Sequence, residues 1–202
     1  MNPRGIVWLK ISGVSGIIAP IIIFAMILLA ISYSPQFSWT ENALSDLGVQ
    51  EGFTAPLFNY GLMVGGFLAF IFASGLFIFL HDNALGRIGN VIFALDTVAL
   101  IAIGVFPENV KPTHYQVSVA FFALYPISML VMGTSFLLTN KVKIGLFTFL
   151  TATVAAAVWI VYFSTYFVHG VAVPEAVSAL SALTWSIVLG FLMLKEASLS
   201  NK

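Results

Sequence analysis

The 202 residues are 60% hydrophobic and only 8% charged. Soluble domains carry about 25% charged residues, so this chain cannot dress a water-exposed surface without large apolar patches. Eight basic and eight acidic residues cancel to a formal net charge of zero, which excludes nucleic acid, because counterion release needs a dense basic face. With no cysteine, disulfides, thiolate nucleophiles, iron–sulfur clusters and Cys-ligated zinc are excluded too.

Crossing a hydrocarbon layer of ~30 Å at 1.5 Å per residue takes about 20 apolar residues. Six runs meet that length, over residues 11–33, 57–80, 88–106, 115–139, 144–168 and 176–194. The first lacks a small-x-small cleavage site and reads as a span rather than a signal. The runs do not alternate and are too long for barrel strands; helices are the form that satisfies a span's backbone within itself. The expected fold is all-α: one polytopic domain over residues 1–202 with six transmembrane helices. Pro20 and Pro126 fall inside spans one and four and are expected to kink them. Gly61, Gly65, Gly66, Ala152 and Ala155 to Ala157 provide small faces for close helix approach. Trp159 and Trp185 lie deep enough to be packing residues.

Charge sets the orientation. Arg4, Lys10, Arg87, Lys141, Lys143, Lys195 and Lys202 fall on one side of a six-span chain, and Lys111 alone on the other. The positive-inside rule then places the N and C termini in the cytoplasm, in a cell membrane. Glu41, Asp46, Glu51, Glu108 and Glu175 fall on the opposite, outer side, an asymmetry that topology does not require. The longest connection, residues 34–56, is on that side. Within it TENALSDL reads as a short helix capped by Thr40 or Ser38, with Ala43, Leu44 and Leu47 facing lipid or protein.

Two groups of polar residues call for an explanation. Asp96 sits near the centre of the third span, where a lone carboxylate costs several kcal/mol. It must face the bundle interior, either as a neutral acid bonded to a neighbouring helix or as a proton or cation handler. Asn59 is a second polar side chain singled out inside a span. The second group is gathered at the outer surface. GVFPENVKPTHY supplies Glu108, Asn109 and His114, the fifth span ends in His169 with Glu175 beyond, and the long loop adds Glu41, Asn42, Ser45 and Asp46. Asp46, His114 and His169 have the donor chemistry of a divalent metal site, zinc for example, with a position left for water. His114, Ser45 and Glu108 are the acid–base candidates, and Ser118, one helical turn beyond His114, would bring a hydroxyl to the imidazole. No HExxH or GxSxG motif accompanies them. His81, beside Asp82, reads as a loop residue on the inner side.

ENALSDLG (41–48), APLFNYGLMVGG (55–66) and GVFPENVKPTHYQVSVAFF (104–122) together resemble a family of prokaryotic membrane proteins known as domain of unknown function 998. Its Ser-Asp-Leu-Gly element corresponds to Ser45 to Gly48, its Phe-Asn to Phe58 and Asn59, and its Gly-x-Phe-Pro with a later His to Gly104, Phe106, Pro107 and His114. The resemblance implies the membrane topology and singles out those residues without implying a reaction.

Three functions remain open on sequence. The first is a metal-dependent hydrolase or transferase acting on membrane lipid at the outer polar site. The second is a small transporter coupled to protons or cations through Asp96, and the third an accessory subunit. Self-association and membership of a larger membrane complex both fit the small-residue faces.

Overall fold

A computed structural model describes residues 2–200. Six long helices follow in order: α1 (Pro3–Ser32), α2 (Thr54–Phe79), α3 (Ala84–Val105), α4 (Thr113–Leu138), α5 (Val142–Thr165) and α6 (Ala172–Leu199). Each is long and apolar enough to cross a membrane, and there is no strand among the described residues. Every helix packs on its chain neighbours and α6 returns to α1, so the six form a closed ring. Short connections explain that order from α2 onward, because a tight turn leaves consecutive helices no option but antiparallel contact, whereas α1 and α2 are joined by the long loop.

The seam between α1 and α6 closes the ring through small residues. A side chain on Gly13 would reach within 2.9 Å of the Gly190 carbonyl, and one on Gly190 within 2.7 Å of the Gly13 carbonyl. Backbone therefore lies directly on backbone at that crossing. Pro20 adds a bond there. It cannot donate to the Gly16 carbonyl four residues earlier, and that freed oxygen accepts the Ser186 hydroxyl at 2.7 Å. The two helices with an interior proline run on unbroken through Pro20 and Pro126.

Polar side chains fasten other seams. Asn90 donates to the Ala73 carbonyl at 2.8 Å, joining α3 to α2. Ser128 donates to the Gly89 carbonyl at 3.1 Å, joining α4 to α3, and the Trp185 indole donates to Thr148 at 3.0 Å, joining α6 to α5.

The two ends of the bundle are built differently. The start of α1, the α2–α3 turn and the end of α6 share one face, where Arg4, His81 and Glu196 line a single depression. His81 is exposed there and pairs with Asp82 at 2.8 Å. Above it, Leu9, Phe72, Leu76, Phe93, Met129, Met132, Trp185 and Leu189 form one dense core. Phe72, Phe93 and Trp185 meet edge to face, with centroids 5.3–6.0 Å apart. The opposite, loop-bearing face holds a second core around Ile23, Leu47, Phe58, Leu100 and Phe121. Here the packing leaves space.

The long loop differs from expectation. Instead of a helix over TENALSDL, a turn spans Ser38–Asn42 and a 3-10 helix, η1, follows at Leu44–Val49. The carbonyls of Thr40 and Asn42 accept the amides of Gly170 and Ala172 at 2.7 and 2.9 Å. Oxygens committed to the α5–α6 loop are lost to a helix starting at Thr40. Leu44 and Leu47 nonetheless turn inward, both buried, so η1 lies across the ring as a lid.

Candidate functional site

Asp46 caps its own loop. Its Oδ2 accepts the Asn42 side-chain amide at 2.8 Å and the Ala43 backbone amide at 3.0 Å. η1 is pinned from α6 and α2: Glu175 accepts the Leu44 amide at 2.7 Å, and Asn59 donates to the Gly48 carbonyl at 2.9 Å. A side chain at Gly48 would stand 2.6 Å from the Asn59 Oδ1, so the loop–helix contact demands glycine there. Asn59 therefore acts as a tether for η1.

Around this lid the acids converge. The Ser45 hydroxyl faces Glu108 at 3.4 Å, and the Asp46 carboxyl is near enough to act on Glu108. Glu175 lies within range of both charges. Burial first, and then the Asp46 carboxyl, push the Glu108 pKa above its ordinary value of 4.5, against smaller opposing effects of Lys111 and Ser45. The native state thus holds the Glu108 proton more tightly than the unfolded chain does. Its contribution to stability is fully present below the ordinary carboxylate range and is lost as pH rises through the raised value. Glu108→Gln, which cannot ionise, is expected to gain thermal stability relative to wild type as pH rises from acid to neutral. Melting curves across that range check the sign; a gap that stays constant with pH would show Glu108 titrating normally.

His114, in the first turn of α4, is buried. Its Nδ1 lies 2.7 Å from the Phe106 carbonyl. A carbonyl only accepts, so Nδ1 carries the hydrogen, and Nε2 of the neutral ring presents a lone pair. Ser118 points at that nitrogen from 3.4 Å, the i, i+4 spacing placing it one turn along the same helix face. A carbonyl orients an imidazole, which faces a hydroxyl: this is the arrangement from which a serine is activated.

The expected metal triad is not assembled. His169 is exposed and pairs with Glu41 at 3.1 Å, and His114 is turned towards Phe106 and Ser118 rather than Asp46. Among the described residues no group of three or more His, Asp or Glu side chains is placed to hold a metal ion. The α5–α6 loop accounts for the difference: its Gly170 and Ala172 amides bind the far side of residues 40–42, which leaves the His169 ring over Glu41. Ser45, Asp46, Glu108 and His114 do belong to one locality, and Glu175 joins them.

Two spaces meet at this cluster. One is a cavity of about 90 Å³ inside the ring, walled by Ile23, Leu62, Leu100, Phe121 and Leu183, with Ser45 and Glu175 at the lid and Asp96 below. Every long helix except α5 contributes to its wall. The other is a groove of about 880 Å³ between α4 and α5, lined by Phe122, Trp159, Tyr162, Phe163 and Tyr166 and leading to Glu108, Lys111, His114 and Ser118. Ser45, Ser118, Phe122 and Glu175 border both. Trp159 packs on Phe122 and Phe163 as expected and also lines the groove, its indole N–H without a partner. Composition gave no sign of the groove, because its aromatic residues read equally well as interfacial anchors.

Six apolar helices in a ring, with the buried acids and imidazole at one end, define an integral multi-pass α-helical membrane protein. Residues 17–192 match the family described as Protein of unknown function (DUF998), and the chain belongs to that family. No curated protein and no solved structure matches it.

Proposed function

We propose that the chain is a hydrolase or transferase acting on a membrane lipid from the outer face of the cell membrane, with Ser118 and His114 as its reacting groups. The observation that carries this reading is the groove between α4 and α5: it is aromatic along its length and ends at Ser118, His114 and Glu108. An apolar tail enters such a groove sideways from the bilayer, and its polar linkage comes to rest beside the hydroxyl. Ser118 Oγ bonds to the acyl carbon while its proton passes to His114 Nε2. The leaving oxygen then takes that proton from the imidazolium, which returns His114 to the form that accepts a proton in the next step. Water, or the hydroxyl of a second lipid, releases the acyl group by the reverse sequence. The basic residues support the orientation, with Arg4, Lys10, Arg87, Lys141, Lys143 and Lys195 flanking the helices at the other end.

A fluorophosphonate bearing an alkyl chain tests the reading in native membranes. Stoichiometric modification of Ser118, located by peptide mass spectrometry and absent in Ser118→Ala, is expected. Failure of the wild-type protein to react, or reaction at another serine, would refute the assignment.

A further inference from the structure

Asp96 is unlike the other acids. It is 2% exposed near the middle of α3, and its Oδ1 has no hydrogen-bond partner in the protein. Buried polar atoms of native proteins nearly always find a partner, and one that does not calls for a ligand, an ion or a water. The carboxyl borders the cavity beneath η1. On the cavity wall the Thr97 hydroxyl donates to Ala94 and the Ser186 hydroxyl to Gly16, while the buried Tyr125 hydroxyl nearby is, like Asp96 Oδ1, without a partner. No Lys, Arg or His lines this cavity, whereas two acids, Asp96 and Glu175, do. The wall therefore offers carboxyl groups and no base, so its chemical complement is a base that can take a carboxyl proton, and its surface is otherwise apolar.

We infer that the cavity is a binding site for a compact hydrophobic amine, whose ammonium group bonds to Asp96 and whose hydrocarbon part fills the space between Leu62, Leu100, Phe121 and Leu183. Size limits the ligand. An apolar cavity of about 150 Å³ takes up benzene, so a space of about 90 Å³ suits a short alkyl chain. The shared border at Ser118 and Phe122 gives it a route from the groove. The floor is closed by Phe93, packed on Phe72 and Trp185, so the amine reaches Asp96 from the lid side. Binding here does not depend on whether Ser118 reacts, and the two readings fail separately.

The probe is a short alkyl diazirine carrying a primary amine, photolysed with the protein in nanodiscs, with the methyl ether of the same skeleton as neutral control. Labelling of α3 and α6 peptides that line the cavity is expected to exceed the control about ten- to a hundredfold, the range set by a hydrogen bond to a charged group. n-Butylamine should compete it away. Asp96→Leu should abolish the preference for the amine while the protein stays folded, since no protein hydrogen bond to Oδ1 is lost. Ala182→Phe, which fills the wall from α6, should abolish labelling by both probes and leaves a second variant if the first fails to fold. Equal labelling by amine and ether, or amine labelling unchanged in Asp96→Leu, would overturn the inference.

Discussion

Trp185→Ala is expected to lower the unfolding free energy by about 3–5 kcal/mol, the range for truncating a large buried aromatic. The side chain is fully buried, packs edge to face on Phe72 and Phe93, and joins α6 to Thr148 of α5. Three helices lose contacts at once. Lipid offers no hydrophobic driving force between spans, so close packing and interhelical bonds carry the association, and a hole in the denser core is felt in full. Trp185→Phe keeps most of the volume and loses the indole bond, for which about 1 kcal/mol is expected. Circular dichroism melts in a fixed detergent separate the two variants. Equal losses would mean that the hydrogen bond, rather than the packing, holds α5 to the ring.

The second large effect is on reactivity. His114→Ala is expected to slow modification of Ser118 about 10²- to 10⁴-fold, the usual worth of a positioned general base. The Phe106 carbonyl fixes the ring so that only Nε2 is free to accept, and Ser118 has no other base at hydrogen-bonding distance. His169→Ala, at the exposed pair with Glu41, is expected to react at the wild-type rate. Rates of labelling by the alkyl fluorophosphonate check both, and the melting midpoint of each variant reports on the fold independently. A slow His169→Ala with a normal His114→Ala would move the chemistry to the other loop.

The carboxyl cluster fits this division of labour. Burial and the Asp46 carboxyl both push the Glu108 pKa upward, while Asp46 is occupied in capping the loop through Asn42 and Ala43. Glu175 and Asn59, each bonded to the backbone of η1 or its edge, keep the lid in register above both spaces. Their contribution is positional.

Length and hydropathy by themselves determined the six spans, because a helix in lipid must be about 20 apolar residues long whatever its neighbours are. They also placed Asp96 inside the bundle and the acids with His114 at one end, since burial and side follow from position along a span. Tertiary structure alone decided which of those residues meet. Asp46, His114 and His169 come from three separate connections, and no local spacing links them. Whether such residues converge depends on how loops dock, and here two backbone bonds from Gly170 and Ala172 turn His169 away. The pairing of His114 with Ser118 was legible because both lie on one helix at i, i+4. The groove, the cavity and the unpartnered carboxyl of Asp96 were not, because empty space arises from how six helices fit together and leaves no mark in the order of residues along any one of them.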